Sequence, residues 1–529
     1  MNRRPTVPAP TSTLARRSFL TIAGVASSGA VVAAAAPAVA APAGPVPRDP
    51  LFTLGVASGD PHPDGVVLWT RLAPDPLATD GRGGMPDRVV PVTWEVAEDE
   101  RFRRIVRRGV EHASAAWAHS VHAEVHGLRP DHTYWYRFRA NGQASPAGRT
   151  RTAPAPGARL RELRFAFASC QNYSVGFFTA LRHLAHEDVD FLVHLGDYIY
   201  EGDAAGDIGR AHLPAVELYS LTDYRLRYSQ YKLDADLQAA HHAHPWIVAP
   251  DDHDLENNWA GDHSEPDDEP DQDPAVFRQR RAAAYQAYWE NLPLRRSSMP
   301  RGPEMQVFRR LVFGDMLQLD VLDTRRFRDP QVTDQADRWN PERQILGPEQ
   351  EAWLLAGLGA ATARWKVLGS QVFMFDADTV TGPGERYGTD PWPGYAAARQ
   401  RLFDGLAERD VDNFVVLSGD AHRSAAADLK LSFADEGSPT VGTEFLGTSL
   451  TSGKDGSDMD GTGTVWLAEN PHLRFHNAQR GYQVCRLGRD EMHTEYRIVP
   501  YVTSPGAPIT TRATVFVESG RPGVAHVSD

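Results

Sequence analysis

The chain has 529 residues, which is too long for one ordinary core, and its 41% hydrophobic and 23% charged content is that of a globular protein rather than a disordered or fibrous one. A formal charge of −14 argues against a bulk nucleic-acid binder, because an acidic surface repels the phosphate backbone. Past the N-terminal region, no segment is apolar for long enough to span a bilayer.

Residues 1–40 read as a twin-arginine signal peptide. Arg16-Arg17-Ser18-Phe19-Leu20 precedes a moderately apolar stretch from Ile22 to Val32, and Ala38-Val39-Ala40 offers small residues for cleavage. Ala15 departs from the pattern by standing where Ser or Thr commonly precedes the arginine pair. Removal takes away Arg3, Arg4, Arg16 and Arg17 and no acid, moving the formal charge to −18. The expectation is export by the twin-arginine machinery to a secreted, wall or periplasmic location, with no stable membrane span after processing. Cys170 and Cys485 are the only cysteines, and sequence alone does not support a bridge between them.

Residues 50–155 alternate short β-prone runs with turn signals: Val66 to Thr70, Val89 to Val96, Val121 to Val125 and Thr133 to Phe138. They predict a small all-β domain of fibronectin-III or immunoglobulin type. From 160 to 510 the pattern turns to α/β. Leu163 to Ala168, Phe191 to Leu195, Trp246 to Ala249, Trp365 to Leu368 and Phe414 to Leu417 are strand-length apolar runs. Phe177 to His186, Phe277 to Glu290, Glu349 to Leu358 and Ala396 to Ala407 have helical spacing, and Met305 to Phe313 with Gln318 to Leu322 reads as a hairpin. The acid-rich stretch Asp262 to Asp273 lacks EF-hand spacing and reads as a solvated loop starting five residues after Asn257. Residues 511–529 are expected to be a C-terminal tail, and the segment after about Gly481 is a candidate cover for a site.

Three clusters carry the chemistry. Gly196-Asp197-Tyr198-Ile199-Tyr200, Asp251-Asp252-His253-Asp254 with Asn257 and Asn258, and Gly419-Asp420-Ala421-His422 each follow an apolar strand, so their side chains are expected to gather at one sheet edge. Asp197 suits a carboxylate bridging two cations, and a Tyr200 phenolate selects a hard ion such as Fe(III). Cys170, at another strand end, is either an inert buried thiol or a ligand of the same ion. His422 is placed to complete that sphere, with Asp420 facing the neighbouring cation. Asp252 and Asn257, with Asp254 and Asn258 as further candidates, supply only oxygen and suit Ca(II), whereas His253 is better placed as an acid than as a ligand.

Taken together, these motifs give a resemblance over nearly all of residues 50–505. The chain resembles the alkaline phosphatase D (PhoD-like) metallophosphatases in Phe52 to Pro61, Ser169-Cys170-Gln171, Gly196 to Glu201, Asp251 to Asp254 with Asn257-Asn258, Leu322-Asp323-Thr324-Arg325, Leu346-Gly347 to Leu354 and Ser418 to His422. Asp254 stands where that family usually has Glu, and Ala421 where a larger apolar residue is common. The resemblance implies a metallophosphoesterase-like αββα sandwich behind the β domain. It also implies an Fe(III) and Ca(II) centre, with Cys170, Asp197, Tyr200 and His422 at iron and Asp197, Asp252, Asn257 and Asp420 toward calcium; Glu444 is a further calcium candidate. The expected activity is that of an exported alkaline phosphatase acting on small-molecule or lipid phosphate esters, both mono- and diesters, through metal-activated water. Two alternatives stand beside it: a secreted phospholipase D of the same family, and a wall- or polymer-binding protein with an inactive catalytic part.

Overall fold

The computed structural model describes residues 46–529 except 205 and 207. The expected signal peptide, residues 1–40, lies outside the described residues. Two large sheets form the body. In the first, Leu163–Ala168, Phe191–His194 and Pro245–Val248 run parallel, and Val56–His62 adds in parallel beside Pro245–Val248. Gly65–Arg71 and Ser120–Val125 extend that side, and Arg480–Leu487, Glu491–Val499, Thr510–Glu518 and His526–Ser528 extend the other, giving ten strands. The second sheet has seven strands, in the order Arg309–Phe313, Leu317–Val321, Trp365–Gly369, Phe414–Ser418, Thr440–Leu446, Ser424–Lys430 and Leu473–Asn477.

The apolar runs explain the layering, because a strand buried on both faces sends successive side chains to opposite sides. Along Phe414–Ser418, Val415 and Leu417 join the core shared with Phe165, Val193 and Phe191 of the first sheet. Phe414 and Val416 join a second core with Leu354, Leu402 and Phe403 from the helices Gly347–Gly359 and Ala396–Glu408. Helices Thr179–Leu184, Leu221–Lys232, Ala235–Ala243 and Pro274–Asn291 cover the outer side of the first sheet. The result is the expected α/β architecture of two facing sheets with helices outside.

The N-terminal β region is built differently from a free-standing module. Its small sheet of Ile105–Ala113, Val90–Ala97, Thr133–Ala140, Gln143–Ala144 and Gly148–Arg151 packs Val92, Val96, Tyr136 and Phe138 against Val56, Val66 and Leu68. Those last three residues belong to the ten-stranded sheet, so one layer of the sandwich is the flank of that sheet itself. The segment expected as a tail, 511–529, is a correction: Thr510–Glu518 and His526–Ser528 are the outer strands of the same sheet. Nor does the chain after Gly481 form a cover, since Arg480–Leu487 pairs with Leu163–Ala168 inside the sheet. Cys485 lies on that strand, and both cysteines are free and buried.

Helix Leu221–Lys232 escaped the sequence reading because its LTDYRLRYSQYK pattern has no apolar stripe, yet Tyr224, Tyr228, Tyr231 and Arg227 are all buried. Trp69 joins the N-terminal flank to this helical layer. It is fully buried, its indole nitrogen donates to the Glu290 carbonyl at 2.9 Å, and Lys232 lies 4.1 Å from its ring centroid. Trp69→Ala is expected to destabilise the whole protein by about 3–5 kcal/mol, read as a lower denaturant midpoint in one transition. A separate early transition confined to residues 51–154 would contradict the shared sheet.

Candidate metal centre

Each cluster leaves the carboxyl end of a strand, and the loops are pressed together by backbone geometry that ordinary residues avoid. Cys170, Asp197, Asp420 and His422 all have positive φ, at 60°, 55°, 66° and 56°. Non-glycine residues held there cost about 1–3 kcal/mol each and persist only where the surroundings enforce them. Gly196, at φ 104°, is required by contact as well: a Cβ on it would lie 2.2 Å from that of Asp251. A Cβ on Gly419 would lie 2.5 Å from Ser169 Oγ. The Cys170 amide donates to the Gly196 carbonyl at 3.1 Å and the Gln171 amide to the Asp197 carbonyl at 3.0 Å, locking the first two loops.

The donors then converge. The Tyr200 hydroxyl is 2.8 Å from Asp197 Oδ2, 3.1 Å from His422 Nε2 and 2.6 Å from Ser452 Oγ. Donor atoms of Cys170, Asp197 and His422 lie within 4.8 Å of one another, as do those of Asp197, Asp252 and His253 and those of Asp251, Asp252 and Asp420. Asp197 and Asp252 are thus shared between neighbouring positions. Within the three clusters, the buried oxygens Asp197 Oδ1, Asp251 Oδ2 and Asp252 Oδ1 have no partner. Orphaned carboxylate oxygens beside a thiol, a phenol and an imidazole fit bound cations, because a buried unpaired acceptor is otherwise costly.

Electrostatics agree with this fit. Burial pushes the carboxyls of Asp197 and Asp420 well above the usual range, and their acidic neighbours push further. Burial likewise raises Asp251 to about 7 despite Arg325. Asp252 goes the other way: burial opposes its ionisation, but Arg325 and His253 together hold it charged. Burial, then Asp197, raises both the Cys170 thiol and the Tyr200 phenol, and burial lowers His422 to about 3. A nearby cation reverses the logic for the acids, thiol and phenol, favouring the ionised ligand.

Several residues that the structure brings to this cluster were not singled out by sequence. The Arg325 guanidinium reaches Asp251 at 2.6 Å, Asp390 at 2.9 Å, Asp420 at 3.3 Å and Asp252 at 3.4 Å. It was visible only as part of the motif Leu322 to Arg325, and Asp390 carried no signal. Glu201 holds His253 Nδ1 at 2.8 Å and the Asn257 amide N–H at 2.7 Å. Although burial opposes it, the carboxylates of Glu201, Asp197 and Asp252 raise the His253 pKa well above its ordinary value.

Two sequence candidates go elsewhere. Asp254 spends its oxygens on the backbone N–H groups of Tyr198, Ile199 and Asp251 and on the Tyr228 hydroxyl, so it latches loops rather than facing a cation. Glu444 accepts from the Met374 and Phe375 amides and from Ser418 Oγ at 2.6–3.0 Å, a structural role that displaces its expected place at calcium. Burial raises Glu444 from 4.5 to about 7. In that window the folded state keeps a proton that the unfolded state has lost, so this group lowers stability as pH rises from 4.5 toward 7. Glu444→Gln is expected to leave calcium affinity unchanged and to flatten the melting temperature over that pH range, measured by calorimetry.

Residues 165–496 match the family model described as PhoD-like phosphatase, and residues 37–154 match the PhoD-like phosphatase N-terminal domain. The chain is 47% identical over 489 residues to alkaline phosphatase D of Bacillus subtilis (strain 168), covering 90% of this chain and 82% of that protein. A solved structure titled "Structure of PhoD" superposes with a TM-score of 0.87 at 45% identity, covering 92% of this chain and 94% of that one. A purple acid phosphatase from yellow lupin seeds, 12% identical with a TM-score of 0.50 over 88% of this chain and 73% of that one, shares the fold alone.

Proposed function

As this chain belongs to the PhoD-like phosphatase family, we propose that its centre hydrolyses phosphate mono- and diesters at alkaline pH by metal-assisted attack of water, with Fe(III) and Ca(II) as the metals. The carrying observation is the convergence of thiol, phenol, imidazole and carboxylate donors around Asp197. Cys170, Asp197, Tyr200 and His422 would hold the iron, and Asp197, Asp252, Asn257 and Asp420 the calcium, in line with the hardness and charge of each donor set. When bound, such cations activate water as the nucleophile and neutralise charge on the phosphoryl group. Export by the twin-arginine route is supported by Arg16 to Leu20. Among the described residues no helix is long and apolar enough to cross a membrane.

The remaining steps fall to the protein's own groups. Arg325 holds Asp251 and Asp390 and sets Asp252 and Asp420 in place. Ser452 Oγ, between the Tyr200 hydroxyl and the Cys170 carbonyl, fixes the phenol. Glu201 engages His253 at Nδ1, which leaves Nε2 to donate a proton to the departing ester oxygen. None of the three clusters, Gly196 to Tyr200, Asp251 to Asn258 and Gly419 to His422, contains a Ser or Thr to serve as the attacking nucleophile, so no phosphoenzyme is required.

Purified protein is expected to contain iron and calcium by elemental analysis and to show a tyrosinate-to-iron absorption band that Tyr200→Phe removes. Colourless, zinc-only protein would overturn the metal assignment. His253→Asn is expected to lower kcat by about 10²–10⁴ on an alkyl phosphate ester and far less on p-nitrophenyl phosphate, whose leaving group needs no proton. Equal losses on both substrates would remove the acid role.

A further inference from the structure

The acid-rich stretch Asp262 to Asp273 has no role in the chemistry above, and the structure shows it tied down rather than free. Asp262 pairs with Arg281 at 2.7 Å and Arg278 at 3.1 Å, and Asp271 and Glu269 pair with Arg280 at 2.9 and 3.1 Å. From this anchored strap Glu265 reaches back to the centre. Its Oε2 accepts from Asn257 Nδ2 at 2.5 Å and its Oε1 from Asn258 Nδ2 at 3.1 Å.

We propose that Glu265 is a positioning residue for the calcium side of the centre, acting by fixing the amide of Asn257 with its oxygen available to a cation. This rests on the reading that Asn257 is a calcium ligand. An ionised carboxylate has only acceptors, so it binds only the NH₂ end of a carboxamide. With Nδ2 claimed by Glu265, the other polar end of the Asn257 side chain, Oδ1, is turned away from the strap. The backbone is fixed independently, because the Asn257 N–H donates to Glu201 Oε1 at 2.7 Å. Asn258, held by the second Glu265 oxygen, donates its own backbone N–H to Asp252 Oδ2 at 3.0 Å. One carboxylate thus sets the orientation of two consecutive carboxamides, the second on a residue whose backbone N–H is held at Asp252. Such outer partners of metal ligands typically contribute about 10–100-fold in metal affinity.

Glu265→Gln keeps size and shape but cannot serve both amides, since its own NH₂ would face one of theirs. Asp268→Asn, at an exposed position on the same strap, makes the same change in charge. Purified protein freed of calcium by dialysis against a chelator is titrated with calcium alone in a calorimeter. The expected result is a dissociation constant raised about tenfold or more by Glu265→Gln, little changed by Asp268→Asn, with equal melting temperatures for the two variants without calcium. Equal calcium affinities in the two variants would overturn the inference, since only bulk charge would then matter. A Glu265→Gln melting temperature well below that of Asp268→Asn without calcium would also overturn it, in favour of a general structural role. Asn257→Ala separates the two layers of the argument. If it weakens calcium while Glu265→Gln does not, the positioning role alone fails; if it binds calcium like the parent protein, Asn257 is no ligand and both fall.

Discussion

Burying many carboxylates in one place is the constraint on which this structure turns. Asp197, Asp251, Asp252, Asp254, Asp420 and Glu201 crowd a few loops, and four acids there, Asp251, Asp252, Asp390 and Asp420, share the single guanidinium of Arg325. Like charges in a desolvated space repel strongly, and removing each from water costs several kcal/mol even after relaxation. Such a cluster can exist only where strong forces elsewhere hold the loops together. The two facing sheets and their shared apolar core supply that force. The left-handed backbone at Cys170, Asp197, Asp420 and His422 is where the imposed tension appears.

The same constraint sorts the acids into two kinds. Asp254 and Glu444 have their oxygens engaged by backbone N–H groups and hydroxyls, so each can be buried without a cation and serves as a fastener. Asp197, Asp251 and Asp252 keep an oxygen for which the protein provides nothing. Full satisfaction by the chain lets Asp254 and Glu444 stand without a cation, whereas the unpartnered oxygens of Asp197 and Asp252 are open to one. The distinction is one of hydrogen-bond partners, not of burial, since both kinds are almost completely enclosed.

This explains which parts of the site were legible in the sequence. An apolar run ending in Gly-Asp, as at Leu195 to Asp197 and Leu417 to Asp420, announces a strand and the polar residue at its tip, so those loops could be read directly. Asp252 and Asp254 are two residues apart with identical chemistry, and only the three-dimensional approach of Tyr198 and Ile199 decides that one is a ligand candidate and the other a latch. Arg325 and Asp390 meet across 65 positions, which no local pattern encodes. The β domain was legible as β structure from its alternation, but its merger with the catalytic sheet depends on the pairing of Ser58 with Pro245, a contact invisible to periodicity.

That merger, with its counterpart on the other side, bears on the order in which the protein can come into being. Pro245–Val248 receives a neighbour from Val56–His62, and Leu163–Ala168 receives one from Arg480–Leu487. The parallel strands carrying the ligands are therefore flanked by segments more than 400 residues apart along the chain, residues 56–62 and 480–487. Contacts so distant in sequence form slowly, and until residue 487 has emerged from the ribosome Leu163–Ala168 keeps a bare hydrogen-bonding edge, a known hazard for intermolecular pairing. The edge of the central strands is thus closed only by segments distant in sequence, and Leu163–Ala168 is the edge most in need of cover before Arg480–Leu487 docks.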